Sequence, residues 1–135
     1  MPSTTETCQA SAFEQILTDY LQSKVGTIPV RIWGDNDQTL QSAPVAVYCH
    51  AERETAPELG RQILKAAVTV RTAATVDTDR RQLDDKCAAV EALLHTADLD
   101  IGTGCALVIE GWGPVQITSD NFIARSCTLR VFISF

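Results

Sequence analysis

Two histidines are the residues in this 135-residue chain whose type is most suited to catalysis or metal binding. His50 directly follows Cys49 in an alternating stretch, and neighbouring strand residues point to opposite faces, so the pair cannot bind one metal ion without distortion. His95 ends an amphipathic stretch, where a polar or positive side chain suits the C-terminal end of a helix. Both histidines are therefore predicted to be structural. A small enzyme that uses His50 and nearby carboxylates is the remaining catalytic hypothesis.

Four aspartates near one predicted helix raise the question of a divalent-cation site. Asp77 and Asp79 precede the helix, where acidic side chains cap free N–H groups and suit the positive end of the dipole. Asp84 and Asp85 lie within the helix beside basic residues, which is typical of a solvated helix face. We expect no bound metal and no cofactor.

The chain contains no Gly-rich phosphate loop, no Gly-x-Ser-x-Gly elbow and no His-Glu-x-x-His pair. Its five cysteines are odd in number and widely spaced, without a Cys-x-x-Cys pair. Cys49, Cys87 and Cys127 occupy apolar positions of repeating patterns and are predicted to be buried thiols, rather than disulfides or metal ligands. Cys8 lies in a segment expected to be exposed, and the fifth cysteine is Cys105. With no convergent acid, base and nucleophile, the protein is predicted not to be an enzyme.

Charge and hydropathy restrict the classes of partner that this protein is expected to bind. The formal net charge of −6 argues against a protein that binds a nucleic-acid backbone, because such binding needs a basic face. No apolar run approaches the length of a membrane span. Residues 1–6 lack the basic and apolar regions of a signal peptide, so we expect the chain to be made and used in a cytoplasm.

A strand followed directly by a helix, from Ala66 to His95, organises the rest of the chain. Ala66, Val68 and Val70 alternate with polar or small residues, which is the period of a strand with one buried face. Leu83, Cys87, Val90 and Leu94 then recur at the spacing of one helix face.

An amphipathic helix is predicted from Ser11, with Glu14 completing a capping box, to Gly26. Alternation predicts strands over 28–33, 44–50, 63–74, 105–110 and 125–135. The order of elements predicts an α+β fold, with a mainly antiparallel β-sheet of four to five strands and two helices packed on one face. Residues 1–10 are predicted to be a flexible N-terminal arm and residues 11–135 a single α+β domain.

Residues 51–62 are charged and interrupted by Pro57 and Gly60, which predicts a projecting loop between two strands. Such a loop is suited to contacting a neighbouring subunit or lining a channel. The residues predicted for this interface or channel lining are Glu52, Arg53, Glu54, Glu58 and Arg61.

The succession of sequence elements resembles the tail-terminator and minor tail (neck) proteins of tailed bacteriophages. It comprises the N-terminal helix, Ile-Pro-Val, Pro-Val-Ala-Val-Tyr-Cys-His, the charged projection, Ala-Val-Thr-Val-Arg-Thr, Asp-x-Asp-Arg-Arg-Gln-Leu-Asp, Val-Glu-Ala-Leu-Leu and a long closing strand. The resemblance covers the chain from about residue 11 to its end.

What the resemblance implies is a structural virion protein without cofactor or catalysis. It would form a ring, usually hexameric in that family, at the head-proximal end of the tail tube. Its partners would be further copies of itself, the tail tube protein and the head–tail connector, and it would be assembled in the host cytoplasm without membrane contact. DNA would pass through without specific binding, which the acidic balance permits. The alternative is a cytoplasmic ligand-binding or regulatory α+β domain with a pocket between helices and sheet.

If no metal and no disulfide supports the fold, chelator and mild reductant should leave thermal melting nearly unchanged. The scattered cysteines, without ligand spacing, motivate this expectation. A fall in melting temperature of about ten degrees with either reagent, equivalent to roughly 2–3 kcal/mol for a domain of this size, would contradict it.

Overall fold

Two helices and six strands make up the described part of the chain in the computed structural model, which covers residues 9–33, 43–55, 59–75, 81–97, 104–118 and 121–134. In chain order they are α1 (Ala10–Val25), β1 (Val30–Ile32), β2 (Val45–Arg53), β3 (Arg61–Ala73), α2 (Arg81–His95), β4 (Gly104–Trp112), β5 (Gln116–Ile117) and β6 (Phe122–Ser134). The predicted α+β class is confirmed.

The strands form one mixed sheet in the order β1-β2-β3-β6-β4, with β5 also paired to β6. Only β1 runs parallel to its neighbour, and the other pairings are antiparallel. The longest pairing joins β3 to β6, from Arg61 opposite Ser134 to Ala73 opposite Phe122. The mainly antiparallel sheet is therefore as predicted. The additional strand, β5, has two residues and is too short to show alternation in the sequence.

The core lies between the helices and one face of the sheet. Cross-strand pairs such as Val47 opposite Val70 and Val68 opposite Cys127 place apolar side chains on this face, which alternation along each strand requires. Ile16 is half-buried, and all other predicted core residues are buried: Phe13, Leu17, Leu21, Val68, Val70, Leu83, Val90, Leu94, Leu129, Val131 and Ile133.

The two helices also contact each other. The Tyr20 hydroxyl donates a hydrogen bond to the Leu93 carbonyl at 3.0 Å, which links α1 to α2 across the core. Gly26 ends α1 with φ of +72°, a conformation that glycine adopts at little cost, as the sequence predicted. Neither helix in the part of the chain described here is long and apolar enough to cross a membrane.

The start of α1 differs from the prediction. The helix begins at Ala10 after Gln9, and no side-chain hydrogen bond caps it, so the capping box of Ser11 and Glu14 was wrong. The Glu14 carboxylate instead accepts the Ala51 N–H at 2.8 Å, on the part of β2 that β1 does not cover. A long-range partner has thus replaced the local one.

The boundary of the N-terminal arm also moves. Ala10 is buried, and the Gln9 N–H donates to the Gln62 side-chain oxygen at 3.0 Å, so these two residues belong to the folded domain. The rest of the predicted arm lies outside the described residues. So do Asp77 and Asp79, the predicted caps of α2.

Truncation of two core residues tests this packing. Leu83→Ala and Val131→Ala should each lower the free energy of unfolding by roughly 2–4 kcal/mol, because both side chains are fully buried and leave cavities. Val108→Ala is the matched control for Val131→Ala, since Val108 is 49% exposed and its loss should cost well under half as much. Urea unfolding measures all three, and equal small losses would contradict the assigned faces of the sheet.

Candidate functional site

The segment predicted to be a projecting loop, 51–62, is largely strand. β2 continues through Arg53, which pairs with Leu64, and β3 begins at Arg61, so the connection comprises only residues 54–60. Ala51 and Gln62 are buried. The loop prediction was therefore wrong at both ends. Charged side chains on the exposed positions concealed the strand alternation in this stretch.

The predicted interface residues do not form one charged cluster. Glu52 and Arg53 are adjacent strand residues and so point to opposite faces of the sheet. The Glu54 carboxylate forms an ion pair within the chain, 2.9 Å from the Arg130 guanidinium. Arg61 is exposed at the start of β3, and Glu58 lies outside the described residues. Their role at an interface or channel stays a prediction.

Hydrogen bonds anchor the hairpin connection between β2 and β3. The Ile63 carbonyl accepts the N–H groups of Glu54 at 2.9 Å and Thr55 at 3.1 Å, and the Thr55 hydroxyl accepts the Ile63 N–H at 3.0 Å. Leu59 follows with 79% of its surface exposed and a φ of +47°, a region that a leucine rarely adopts. An exposed apolar residue on a strained backbone is a recognised mark of a functional position.

The face of the sheet opposite the helices, here called the bare face, has no helix of the described chain packed on it. Its centre is made of small side chains, including Ala67, Thr128 and the hydroxyl pair Thr69–Ser126, whose oxygens lie 2.8 Å apart. Side chains of this size leave room for another molecule to approach the sheet.

Apolar side chains cluster at one end of the bare face. Phe132, 40% exposed, lies opposite Ile63 on one side and Ala106 on the other, and Val108 is 49% exposed on the same strand as Ala106. These four residues and Leu59 at the adjoining hairpin are together called the assembly surface. The sequence offered a signal for it that was not used: Val108 and Phe132 are large apolar residues at outward positions of their strands.

Ion pairs connect the hairpin to the assembly surface. Arg130 lies opposite Val108, and its guanidinium is 2.9 Å from the Glu54 carboxylate and 3.9 Å from that of Glu110. Exposed pairs of this kind contribute little stability, at most about 1 kcal/mol. They do neutralise the charge of Arg130 beside the apolar residues.

At the other end of the bare face, an arginine makes cation–π contacts with aromatic rings. The Arg71 guanidinium lies 3.9 Å from the centre of the Phe122 ring and 5.4 Å from that of Tyr48. Trp33 packs edge-on against Tyr48 at 5.9 Å between ring centres. This group covers part of the sheet that no helix covers.

The histidines occupy structural positions. His50 Nδ1 lies 3.2 Å from the Glu14 carboxylate, and its Nε2 lies 3.8 Å from that of Glu52. His95 lies 3.8 Å from Glu91, whose carboxylate also accepts the Trp112 indole N–H at 2.8 Å. The described residues contain no cluster of three His, Cys, Asp or Glu side chains able to hold a metal ion.

Burial makes the core thiols poor nucleophiles. Cys49, Cys87 and Cys127 are buried and free, as the sequence predicted. Burial raises the pKa of Cys49 to about 12, with a smaller opposing effect from the Thr18 hydrogen bond, and raises the pKa values of Cys87 and Cys127 to about 11. The Cys105 thiol is half-buried, and burial raises its pKa as well. The thiolate forms that reactivity requires are thus disfavoured.

A cavity of about 340 Å³ lies between the helices and the sheet, and is called the helix–sheet cavity. Its lining residues come from the end of α1 and the segment after it, the start of β2, and α2: Lys24, Val25, Ile28, Val45, Val47, Lys86, Ala89, Val90 and Leu93. It occupies the position expected of the pocket in the alternative ligand-binding hypothesis.

No protein-family model and no curated protein matches the chain. Chains of solved structures do match it. One of them, whose name describes no function, shares 18% sequence identity with a TM-score of 0.56, over 93% of this chain and 92% of that chain. At this identity the likeness supports the fold alone.

The buried thiols predict a loss of stability at alkaline pH. Unfolded thiols ionise near the ordinary pKa of 9.0, whereas Cys49 keeps its proton in the folded state until about pH 12. Its raised pKa therefore has no effect on stability below pH 9 and lowers the free energy of unfolding progressively between these values. Urea unfolding from pH 7 upward measures the slope, and Cys49→Ala should make it shallower above pH 9. An unchanged slope in that variant would contradict the prediction.

Proposed function

We propose that this protein is a structural subunit of a bacteriophage tail, a tail terminator that forms a ring at the head-proximal end of the tail tube. The observation that carries the proposal is the assembly surface, where Leu59 of the hairpin and Val108 and Phe132 of the bare face are exposed and no helix of the described residues covers the sheet. Exposed apolar surface of this kind marks a site of protein contact. The order of sequence elements that resembles the tail-terminator family gives the contact its context.

A closed ring requires head-to-tail contacts, in which two different surfaces of the subunit meet. The hairpin and the bare face supply different surfaces: Leu59 is a large apolar residue with 79% of its surface exposed, whereas the centre of the bare face is lined by small residues. In this arrangement the hairpin of one subunit contacts the neighbouring copy. Glu52, Arg53 and Arg61 flank the hairpin and are placed to set the register of that contact.

The acidic balance fits passage of DNA through the ring. With a net charge of −6 and a pI of about 4.7, the subunit repels the phosphate backbone overall and would not retain the polymer. The proposed partners are the tail tube protein and the head–tail connector, and the proposed location is the virion. The proposal includes neither catalysis nor a cofactor.

The second candidate is a ligand-binding or regulatory α+β domain without catalysis. The observation that favours it is the helix–sheet cavity, whose walls are apolar apart from Lys24 and Lys86. Ring formation would use the bare face of the sheet, whereas ligand binding at this cavity would use the face that the helices cover.

A double substitution tests the ring proposal. Leu59→Asn with Phe132→Thr should abolish ring formation and the joining of tails to heads, because it removes apolar contact area. The fold should persist, since asparagine tolerates a positive φ and threonine suits a strand. Light scattering of the chain alone and mixed with tail tubes, and complementation of tail joining, are the measurements.

The matched control is Ile117→Asn, because Ile117 is also 79% exposed but lies at the opposite end of β6 from Phe132. The control should assemble normally. Normal assembly by the double variant would show that the assembly surface is misplaced. A wild-type chain that stays monomeric even with tail tubes would contradict the function itself.

A further inference from the structure

The walls of the helix–sheet cavity combine apolar side chains with two cations. Valines, an isoleucine and a leucine from both helices, β2 and the segment after α1 supply most of the lining, and among the described residues no carboxylate contributes to it. At about 340 Å³ the cavity is at the small end of the range for ligand sites, about 300–1,000 Å³. Its size therefore suits a short apolar chain.

The two lysines of the cavity have no acidic partner within the described residues. No described carboxylate lies within 4 Å of the ammonium group of Lys24 or Lys86. Lys24 is instead 5.9 Å from the centre of the Tyr20 ring. In a chain with a net charge of −6, two such lysines at one apolar cavity form a local positive site.

From this combination we infer that the helix–sheet cavity binds a small anionic amphiphile of the class of medium-chain carboxylates. The alkyl chain lies against Val45, Val47 and Leu93, and the carboxylate faces the two lysines. Neighbouring ligand classes fit this cavity less well: a neutral apolar ligand gains no contact with the ammonium groups, and a fully polar anion leaves the apolar walls wet.

The arrangement of the helices explains why a cavity forms here. α1 packs over β1 and β2, whereas α2 packs over β3, β6 and β4. Close contact between the helices occurs where Tyr20 reaches Leu93, and the space beside that contact opens toward the start of β2. The inference does not depend on ring formation, because the assembly surface lies on the opposite face of the sheet.

Titration calorimetry with decanoate, below its micellar concentration, tests the inference on the full chain. We expect saturable binding of one decanoate per chain, and no binding of acetate or of decyltrimethylammonium. The double variant Lys24→Gln/Lys86→Gln should bind decanoate about tenfold more weakly or worse, the effect of losing a charge-assisted contact. The matched control is Lys65→Gln, whose lysine is exposed on the bare face, and it should bind as the wild type does.

A filling substitution gives a second, independent measurement. Ala89→Phe adds a ring at an exposed position of the lining, so it should keep the fold and abolish binding. Absence of saturable decanoate binding, equal binding of decyltrimethylammonium, or unchanged binding by the lysine and filling variants would each overturn the inference. The Leu59→Asn/Phe132→Thr variant should bind decanoate normally, which separates failure at the cavity from failure of the ring.

Discussion

The antiparallel pairing of β3 with β6 is the interaction on which the rest of the structure depends. It runs without interruption from Arg61 opposite Ser134 to Ala73 opposite Phe122. Its register places Leu64 opposite Val131 on the helix side and Ile63 opposite Phe132 on the bare face. Since side chains alternate along a strand, a shift of one residue would exchange these faces, exposing the core residues and burying Lys65 and Arg130. Core and assembly surface therefore follow from the same register.

This register also explains which features were predictable from the sequence. Stretches with one buried face, such as Ala66–Val70 or Leu83–Leu94, carry their periodicity locally, so these elements were found and every predicted core residue except Ile16 is buried. The length of the loop in the hairpin was predicted wrongly because Glu52, Arg53 and Arg61 are polar. Only their pairing with neighbouring strands identifies these positions as strand. The N-terminus of α1 was misjudged because Glu14 bonds to the Ala51 N–H, a partner distant in sequence. Neither the parallel pairing of β1 nor the cavity has a local sequence signal.

The two sides of the sheet differ in how their charges are arranged. On the bare face the charge of Arg130 is compensated by Glu54 and Glu110, whereas Lys65, opposite Arg130, has no described carboxylate within 4 Å. At the helix–sheet cavity Lys24 and Lys86 have no described acidic partner within 4 Å. A neutral apolar surface favours a protein partner, because contact buries no unpaired charge. A cationic apolar cavity favours an anion with an apolar chain. The two proposals therefore rest on different combinations of charge and apolar surface.

The sheet itself makes these two proposals compatible. Along β3 and β6, residues that contact the helices alternate with residues that face the other side of the sheet. A partner on the bare face therefore need not approach the cavity. Coupling between the sites would have to pass through the paired strands, which are fixed by backbone hydrogen bonds along their whole length. Such a rigid element transmits little change unless it has a second register, and a second register would expose the core. We therefore expect an amphiphile in the cavity to leave assembly on the bare face unchanged.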